Sequence, residues 1–177
     1  MQTDPADDVP NPIDLRTMAD AREWADTAMT KRPWREEFFR AIGDEISGTR
    51  HHKFSILELG SGPGFLARYL LTALPDATYV ALDFSAAMHE LARERLGDLA
   101  ARVQFVEADF RNPHWNTGLL TFDTVVTLQA VHELRHKRRA SSFYREVRPL
   151  LQRGGRFLVC DHLASRPIFR VQPLELF

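Results

Sequence analysis

The sequence predicts an α/β fold: a doubly wound, mainly parallel sheet with helices on both faces. Five short apolar segments alternate with segments whose apolar residues recur every three or four positions, as in amphipathic helices. The apolar segments lack polar alternation, which is typical of strands buried on both faces of a parallel sheet. A glycine-rich turn at 58–64 joins the first strand to a helix, where open parallel sheets bind ligands.

The N-terminal third is predicted to be separate from this sheet. Residues 1–12 combine prolines and aspartates with little to bury, so we expect a flexible lead. Residues 13–53 are predicted to form N-terminal helices. Pro33 is expected to separate two of them, because the residue before a proline avoids helical geometry. The sheet domain then spans 54–177.

Within 54–177 each element has its own signal. Pro75 ends the first helix, Ser85 is a good N-cap for the second, and Gly154 with Gly155 is expected to end the third. The Asn-Pro and Thr-Gly pairs within 111–121 indicate a loop. The predicted strands are 54–60, 77–84, 103–109, 122–130 and 156–163, and the predicted helices are 65–74, 86–96 and 135–152.

The composition describes a globular chain and excludes several classes of protein. The 177 residues are 44% hydrophobic and 27% charged, which suits one domain with a core. A net charge of −1, and no aromatic partners beside the basic run 135–139, argue against nucleic acid as a partner. No apolar run approaches the ~20 residues that span a bilayer, so no membrane contact is expected.

Two further features bear on location and metal binding. Cys160 is the single cysteine, which excludes an internal disulfide and a cysteine-based metal site, and no metal is expected. The N-terminus is acidic and proline-rich and does not resemble a secretory signal, so we expect a cytoplasmic protein.

The glycine turn departs from the dinucleotide fingerprint. That pattern, G-x-G-x-x-G, requires a third glycine, but Phe65 stands there when counting from Gly60, and Ala67 when counting from Gly62. The acid Glu58, two residues before the first glycine, is also unusual for a dinucleotide site. A dinucleotide-binding oxidoreductase is therefore disfavoured, and a tight turn without a ligand remains the plain structural alternative.

Two acids end the next two strands. Asp83 follows Gly64 by nineteen residues, and its carboxylate can accept hydrogen bonds from both hydroxyls of a ribose. Asp109 ends the third strand and can accept a hydrogen bond from an exocyclic amino group. Each acid alone could equally cap a turn. Because the ends of consecutive parallel strands line one crevice, the three features together predict a nucleoside-binding site.

With these motifs in order, the sequence resembles the class I S-adenosylmethionine-dependent methyltransferases. The resemblance covers roughly residues 54–163 and implies a Rossmann-like methyltransferase fold with S-adenosylmethionine as cofactor and S-adenosylhomocysteine as product. Its motifs, in chain order, are ILELGSGPG at 56–64, ALDFSAAMHELARERL at 81–96, FVEADF at 105–110, FDTVVTLQAVHEL at 122–134 and LLQRGGRFLVCDHL at 150–163.

The resemblance assigns the methionine end of the cofactor to the glycine turn. Gly60, Ser61 and Gly62 line that part of the ligand, and Glu58 helps to hold its amino group, directly or through water. Gln129, after the fourth strand, lies near the same end. Because the ligand carries an ammonium and a sulfonium group, partly buried acids near these cations are expected to stay ionised.

The resemblance assigns the adenosine end to the second and third strands. Asp83 binds the ribose hydroxyls, and Phe84 and Met88 pack on the adenine. Asp109 faces the adenine amino group, and the backbone of Phe110 faces a ring nitrogen.

The expected reaction is in-line displacement of the sulfonium methyl group by a small-molecule acceptor. Such a transfer depends mainly on positioning and on excluding water, and needs a base only if the acceptor must lose a proton. His132 is the candidate base, and Asp161 and His162 are candidates for the acceptor pocket. The N-terminal helices are expected to act as a lid, with Trp34 and Arg35 as candidates to fold over the cofactor.

One departure from the family leaves another reading open. From Arg166 onward only twelve residues remain, whereas the family continues after the fifth strand through a helix and a hairpin. We therefore expect either a fragment or a sheet that stops at five strands. A bare fifth strand is an aggregation hazard, so we expect either another chain, in a homo-oligomer, or a missing segment to cover that edge. A non-catalytic, methyltransferase-like binding module is the second reading.

Overall fold

The computed structural model describes residues 13–48, 54–134 and 137–161, without side chains at 137 and 138, and shows the predicted alternation of strands and helices. Thr17 caps the first helix by accepting from the Asp20 amide, and Pro33 lies between the first two helices. The elements are α1 (Met18–Lys31), α2 (Arg35–Ser47), β1 (Ser55–Leu59), α3 (Phe65–Ala73), β2 (Thr78–Asp83), α4 (Ala86–Leu96), β3 (Val103–Glu107), β4 (Phe122–Leu128), α5 (Lys137–Val147) and β5 (Leu151–Cys160).

The five strands form one parallel sheet in the order β3-β2-β1-β4-β5. This confirms the predicted fold class. Strand order runs outward from β1 in both directions, so the chain crosses over between β3 and β4. A crevice opens at such a switch point, outside the carboxyl ends of β1 and β4. Ligand-binding residues are therefore expected at the ends of these strands.

The core lies in two layers, one on each face of the sheet. Ile56 packs with Leu70 in the layer covered by α2 and α3, whereas its neighbour Leu57 packs with Phe143 and Val147 in the layer covered by α5. Successive residues of a strand point to opposite faces, so both faces of β1 are fully buried. This explains the continuous apolar run that predicted the strand.

The helix α1 packs on α4 rather than on the sheet. Ala21 and Ala25 of α1 meet Ala87, Met88 and Leu91 of α4, and the small alanine side chains let the helices approach closely. The segment before α1 is held by Ser85, whose hydroxyl donates to the Leu15 carbonyl. The N-terminal segment is thereby placed over the carboxyl end of β2.

The last helix and strand differ from the prediction. The helix ends at Val147, and a single 3-10 turn, Arg148–Leu150, follows it, because Pro149 lacks an amide hydrogen and cannot continue an α-helix. Strand β5 begins at Leu151, so Gly154 and Gly155 interrupt a strand instead of ending a helix. The pairing of β4 with β5 is irregular at this point, where the Gly154 φ of 81° falls in the left-handed region.

Strand β5 is the edge of the sheet among the described residues. It pairs only with β4 there, and Val159 remains 43% exposed. Among the helices described, none has the length and apolar character needed to cross a membrane.

Candidate cofactor site

A cavity of about 610 Å³ opens at the carboxyl ends of the central strands. The structure brings the ten predicted cofactor-binding residues and the candidate base His132 to its wall, although they come from four separate strand ends and from α4. They are Glu58, Gly60, Ser61, Gly62, Asp83, Phe84, Met88, Asp109, Phe110, Gln129 and His132. Asp161, a candidate for the acceptor pocket, is not among the residues that line the cavity.

The glycine turn is folded tightly against the ends of β2 and β4. The amides of Gly60 and Ser61 both donate to the Leu82 carbonyl, at 2.8 and 3.0 Å. Gly60 has a φ of 71°, and a Cβ built on it would lie 2.3 Å from the Cβ of Ala130. Only glycine fits there, because any side chain would both strain the backbone and overlap Ala130.

Asp83 lies at the end of β2 beneath the glycine turn. Its carboxylate accepts from the Gly62 amide at 2.8 Å and from the Ser85 amide at 3.0 Å. Burial raises the pKa of Asp83 to about 6, although these backbone hydrogen bonds oppose the shift. Each carboxylate oxygen keeps a further lone pair, so Asp83 can still accept from ligand hydroxyls.

Glu58 lies in the cavity wall as a buried acid. The Tyr79 hydroxyl donates to its Oε2 at 2.7 Å. Burial raises the pKa of Glu58 to about 8, and the hydrogen bond from Tyr79 only partly offsets this. The expectation that the acids stay ionised therefore does not apply to Glu58 in the chain alone, since the Tyr79 hydrogen bond and the charge of Arg35 lower its pKa by less than burial raises it. A ligand cation beside it would restore the charge.

Asp109 and Phe84 line the other end of the cavity. Arg111 contacts Asp109, and Arg16 contacts Phe84. Asp109 accepts from the Arg111 side chain, with contacts of 2.7 to 3.1 Å, and from the Arg111 amide at 2.9 Å. Burial raises the pKa of Asp109, but these bonds outweigh it, and the net shift is downward. Arg16 lies 4.8 Å from the Phe84 ring centroid, so a cation occupies one side of this aromatic surface.

Phe110 and Met88 supply apolar surface between these two ends. Phe110 packs against the ring of Phe143 at 5.1 Å and approaches the glycine turn. Met88 is 2% exposed and is anchored by its amide, which donates to the Ser85 hydroxyl at 3.1 Å, as predicted for an N-cap.

Gln129 follows β4 in a backbone conformation that is rare for its residue type. Its φ is 56°, in the left-handed region, while its amide donates to the Cys160 carbonyl at 2.7 Å. Its side-chain oxygen accepts from Arg35 Nε at 2.7 Å. Strained residues of this kind concentrate at functional sites, because the surrounding contacts must hold them in place.

His132 faces the cavity from the turn after β4, and β5 supplies its partner. Asp161 accepts from the His132 amide at 3.0 Å and lies 2.7 Å from its Nδ1. The hydrogen bonds with Asp161 and Glu133 raise the pKa of His132 to about 9. The ring is therefore mainly protonated near neutral pH, whereas a general base must be neutral to accept a proton. The sequence alone did not predict this protonated state. His162 lies outside the described residues.

The N-terminal part of the chain supplies both predicted and unpredicted residues of the cavity wall. Of the two candidate lid residues, Arg35 lines the cavity, whereas Trp34 packs edge-on against Phe38 instead. Leu15, Arg16 and Trp24 also line it. Nothing in the local sequence marks these three, since they reach the cavity only because α1 packs on α4. Within the described residues no cluster of His, Cys, Asp and Glu side chains suitable for a metal ion occurs.

Comparison with known families matches this arrangement to one family model. Residues 56–155, more than half of the chain, match the model described as "Methyltransferase domain". The chain belongs to this methyltransferase domain family. The match begins in β1 and ends in β5, so it contains the glycine turn, Glu58, Asp83 and Asp109 but not Asp161. The resemblance to class I S-adenosylmethionine-dependent methyltransferases is thereby confirmed.

Two curated relatives of this methyltransferase domain are longer proteins than this chain. The highly reducing polyketide synthase easB of Emericella nidulans is 31% identical over 122 residues, which cover 64% of this chain and 5% of that protein. The malonyl-[acyl-carrier protein] O-methyltransferase of Legionella pneumophila is 39% identical over 77 residues, which cover 44% of this chain and 26% of that protein. The chain therefore spans only a small part of either relative.

A solved structure extends the comparison to the fold. The complex of DhpI with SAM and HEP superposes with a TM-score of 0.59 at 25% identity, covering 78% of this chain and 58% of DhpI. The methyltransferase domain thus has the Rossmann-like fold predicted from its sequence.

Proposed function

We propose that this chain is an S-adenosylmethionine-dependent methyltransferase that acts on a small-molecule acceptor. One observation carries the proposal: acids from β1 and β2 and from the turn after β3 line one cavity together with the glycine turn. A cationic ligand with a ribose suits such a wall, since carboxylates accept from hydroxyl and ammonium groups. The family membership and the relatives' names support the same reading.

The residues present fit the methionine end of this cofactor. Ser61 is buried, and its Oγ has no hydrogen-bond partner among the described residues, so the wall holds an unused polar atom beside the glycine turn. Glu58 is buried beside it and gains its charge most readily next to a cation. We propose that Gly60, Ser61 and Gly62 line the methionine part and that Glu58 holds the ammonium group. Gln129 lies at the same end.

At the other end, Asp83 is proposed to accept from the ribose hydroxyls. Phe84 and Met88 are proposed to pack on the adenine, Asp109 to face its amino group, and the Phe110 backbone to face a ring nitrogen. The bidentate contact of Arg111 with Asp109 must then loosen, or share that carboxylate with the adenine.

The bound cofactor supplies an electrophilic methyl group, and the chain supplies position and protection from water. We propose His132 as the residue that contacts the acceptor, since it lines the cavity beside Gln129. Asp161 and Glu133 hold His132 protonated near neutral pH, with Nδ1 against Asp161 and Nε2 at 3.5 Å from Glu133. To donate a hydrogen bond to the acceptor through Nε2–H, the ring exchanges its contact with Glu133 for one with the acceptor. It accepts a proton only as the pH approaches its pKa of about 9.

We propose that residues 13–53 serve as a lid on the sheet domain 54–177, with residues 1–12 as a flexible lead. Leu15, Trp24, Arg35 and Phe39 all contribute to the cavity wall from this N-terminal part. The edge of β5 is proposed to be covered, in a homo-oligomer, by a second copy of the chain. Gel filtration of the purified chain tests this, and a clean soluble monomer would argue against it.

The names of the relatives are the basis for the class of acceptor that we propose. Both curated relatives carry names that refer to acyl chains or polyketides, so acyl and polyketide acceptors are the first compounds to screen. Transfer of radiolabel from S-adenosylmethionine to such acceptors measures this directly.

Calorimetric titration tests the cofactor proposal. S-adenosylmethionine and S-adenosylhomocysteine are expected to bind, and NADH is not. Asp83→Ala is expected to weaken binding by about 1–3 kcal/mol, the value of hydrogen bonds to a charged group. Asp76→Ala is the matched control, because Asp76 is exposed in the turn between α3 and β2. Binding of NADH instead would favour an oxidoreductase, and folded protein that binds neither cofactor would favour a non-catalytic module.

A further inference from the structure

Tyr79 donates a hydrogen bond to Glu58 from outside the cavity. Tyr79 is 2% exposed in the core layer covered by α2 and α3, and it is not among the described residues that line the cavity. Its register partner on β1 is Ile56, and Glu58 follows two residues later on the same face of that strand. The phenol group reaches along the sheet to Glu58, where its hydroxyl lies 2.7 Å from Oε2.

This hydrogen bond fixes one oxygen of the Glu58 carboxyl group. Among the described residues, no other group forms a hydrogen bond with that carboxyl. With Oε2 held by Tyr79, the lone pairs of Oε1 are left for a group in the cavity, which Glu58 lines. Tyr79 therefore sets the orientation in which Glu58 meets a ligand.

Core packing alone does not account for this pair. A buried carboxyl group is costly, and replacing both partners of a buried hydrogen bond with apolar groups of the same shape is nearly neutral or even stabilising. Packing would be served as well by phenylalanine and an aliphatic residue at these two positions. Instead, Tyr79 lies in the core and Glu58 lies in the cavity wall, which favours a role in ligand binding.

The groups around Glu58 determine when it becomes charged. Burial raises the pKa of Glu58 to about 8; the Tyr79 hydrogen bond opposes this rise, Asp83 adds to it, and Arg35 opposes it. Burial and the neighbouring Glu58 raise the pKa of Tyr79 well above its ordinary value, so the phenol keeps its proton and remains a donor. Tyr79 thus stabilises the ionised form of Glu58, which is the form that attracts a cation.

We propose that Tyr79 is a positioning residue of the cofactor site, whose hydroxyl orients the Glu58 carboxylate and stabilises its charge for binding the ammonium group of the cofactor. The inference rests on the proposed function. Binding then releases the Glu58 proton to solvent, because the carboxyl group is mainly neutral near neutral pH in the free chain and ionised beside the ammonium group. The affinity for a ligand with an ammonium group therefore rises with pH up to about 8.

The test compares two ligands that differ only in the amino group. S-adenosylhomocysteine and its deaminated form are titrated by calorimetry against the wild type, Tyr79→Phe and Tyr69→Phe, at pH values up to the Glu58 pKa of about 8. Tyr69→Phe is the matched control, because Tyr69 is partly buried in the same core layer and does not line the cavity. The ratio of the two affinities removes contributions that both ligands share, such as that of Asp83.

The expected change in this ratio is specific to Tyr79. In the wild type the ratio rises with pH, by up to about tenfold per pH unit. Tyr79→Phe lowers the ratio near neutral pH by roughly 10- to 100-fold, the equivalent of one hydrogen bond to a charged group. It also moves the rise to higher pH, since the bond that lowers the Glu58 pKa is lost. Tyr69→Phe changes neither the ratio nor its pH dependence.

Three results would overturn the inference while leaving the proposed function standing. The first is an equal loss of affinity for both ligands in Tyr79→Phe, which would show a structural role only. The second is a ratio in Tyr79→Phe that matches the wild type at every pH. The third concerns Glu58→Gln, in which no carboxylate is left to position, so that Tyr79→Phe should no longer change the ratio. An undiminished effect of Tyr79→Phe in that background would show that Tyr79 does not act through Glu58.

A measurement on the wild-type side chain covers the case in which Tyr79→Phe does not fold. The chain has three tyrosines, so carbon-13 NMR can follow each phenol Cζ, with Tyr69→Phe and Tyr144→Phe giving the assignment. S-adenosylhomocysteine is expected to shift the Tyr79 resonance because its acceptor becomes charged, and the deaminated ligand is not. Equal shifts with both ligands, or none, would overturn the inference. Folded wild-type protein that binds neither ligand refutes the proposed function, and the inference with it.

Discussion

Gly60→Ala is expected to be among the most damaging single-methyl changes in the chain. The added Cβ would lie 2.3 Å from the Cβ of Ala130, well inside the ~3.5–4.0 Å of an ordinary carbon contact. Relieving such an overlap costs about 1–3 kcal/mol in a packed site. The φ of 71° adds about 1–2 kcal/mol for any residue with a side chain. The free energy of unfolding should fall by about 2–5 kcal/mol.

Two further variants separate overlap from backbone strain. Gly62 has a φ of 54° and nothing within 4 Å of an added Cβ, so Gly62→Ala should cost only the strain, about 1–2 kcal/mol. Ala130→Gly removes the methyl group that Gly60→Ala would strike. The double variant should therefore be more stable than the sum of its single costs predicts, by about 1–3 kcal/mol.

Urea unfolding followed by circular dichroism measures all four variants against the wild type. In a chain of this size each kcal/mol corresponds to about 2–4 °C in the melting temperature, which gives an independent reading. The reasoning would be refuted if the losses of unfolding free energy in Gly60→Ala and Ala130→Gly were strictly additive in the double variant. It would also be refuted if Gly60→Ala and Gly62→Ala lost the same unfolding free energy. The overlap with Ala130 would then not set the identity of residue 60.

Three other predictions concern protons and caps. Burial raises the pKa of Glu58 from 4.5 to about 8. The neutral carboxyl group therefore contributes its full stabilisation below pH 4.5, and this contribution is lost as the pH rises through 8. Glu58→Gln should flatten the curve of unfolding free energy against pH over that range, as measured by urea unfolding. Asp161→Asn should lower the pKa of His132 from about 9 towards its ordinary value, as read by NMR titration of the ring protons, and an unchanged pKa would contradict the dyad. Ser85→Ala removes both the cap on the Met88 amide and the hydroxyl that donates to the Leu15 carbonyl, and should lower the free energy of unfolding, measured by urea unfolding, by about 1–2 kcal/mol.

Local sequence features predicted most of the sheet. Apolar runs buried on both faces defined β1, β2 and β4, and Ser85 capped α4 as expected, because these signals act over a few neighbouring residues. The end of α5 was wrong. The double glycine looked like a helix stop, but Pro149 had already ended the helix, and β5 continues through the glycines by an irregular pairing with β4 that no local pattern records.

The sequence by itself determined the fold class, the family and the cavity residues contributed by the strand ends, because parallel strands bring successive motifs to one edge. Only the tertiary structure decided which side chains contact these cavity residues. The packing of α1 on α4 brings Arg16 to Phe84, and the end of β5 brings Asp161 to His132. Burial and partner choice depend on residues far apart in the chain, so the charge states of the site could be found only once the chain was folded.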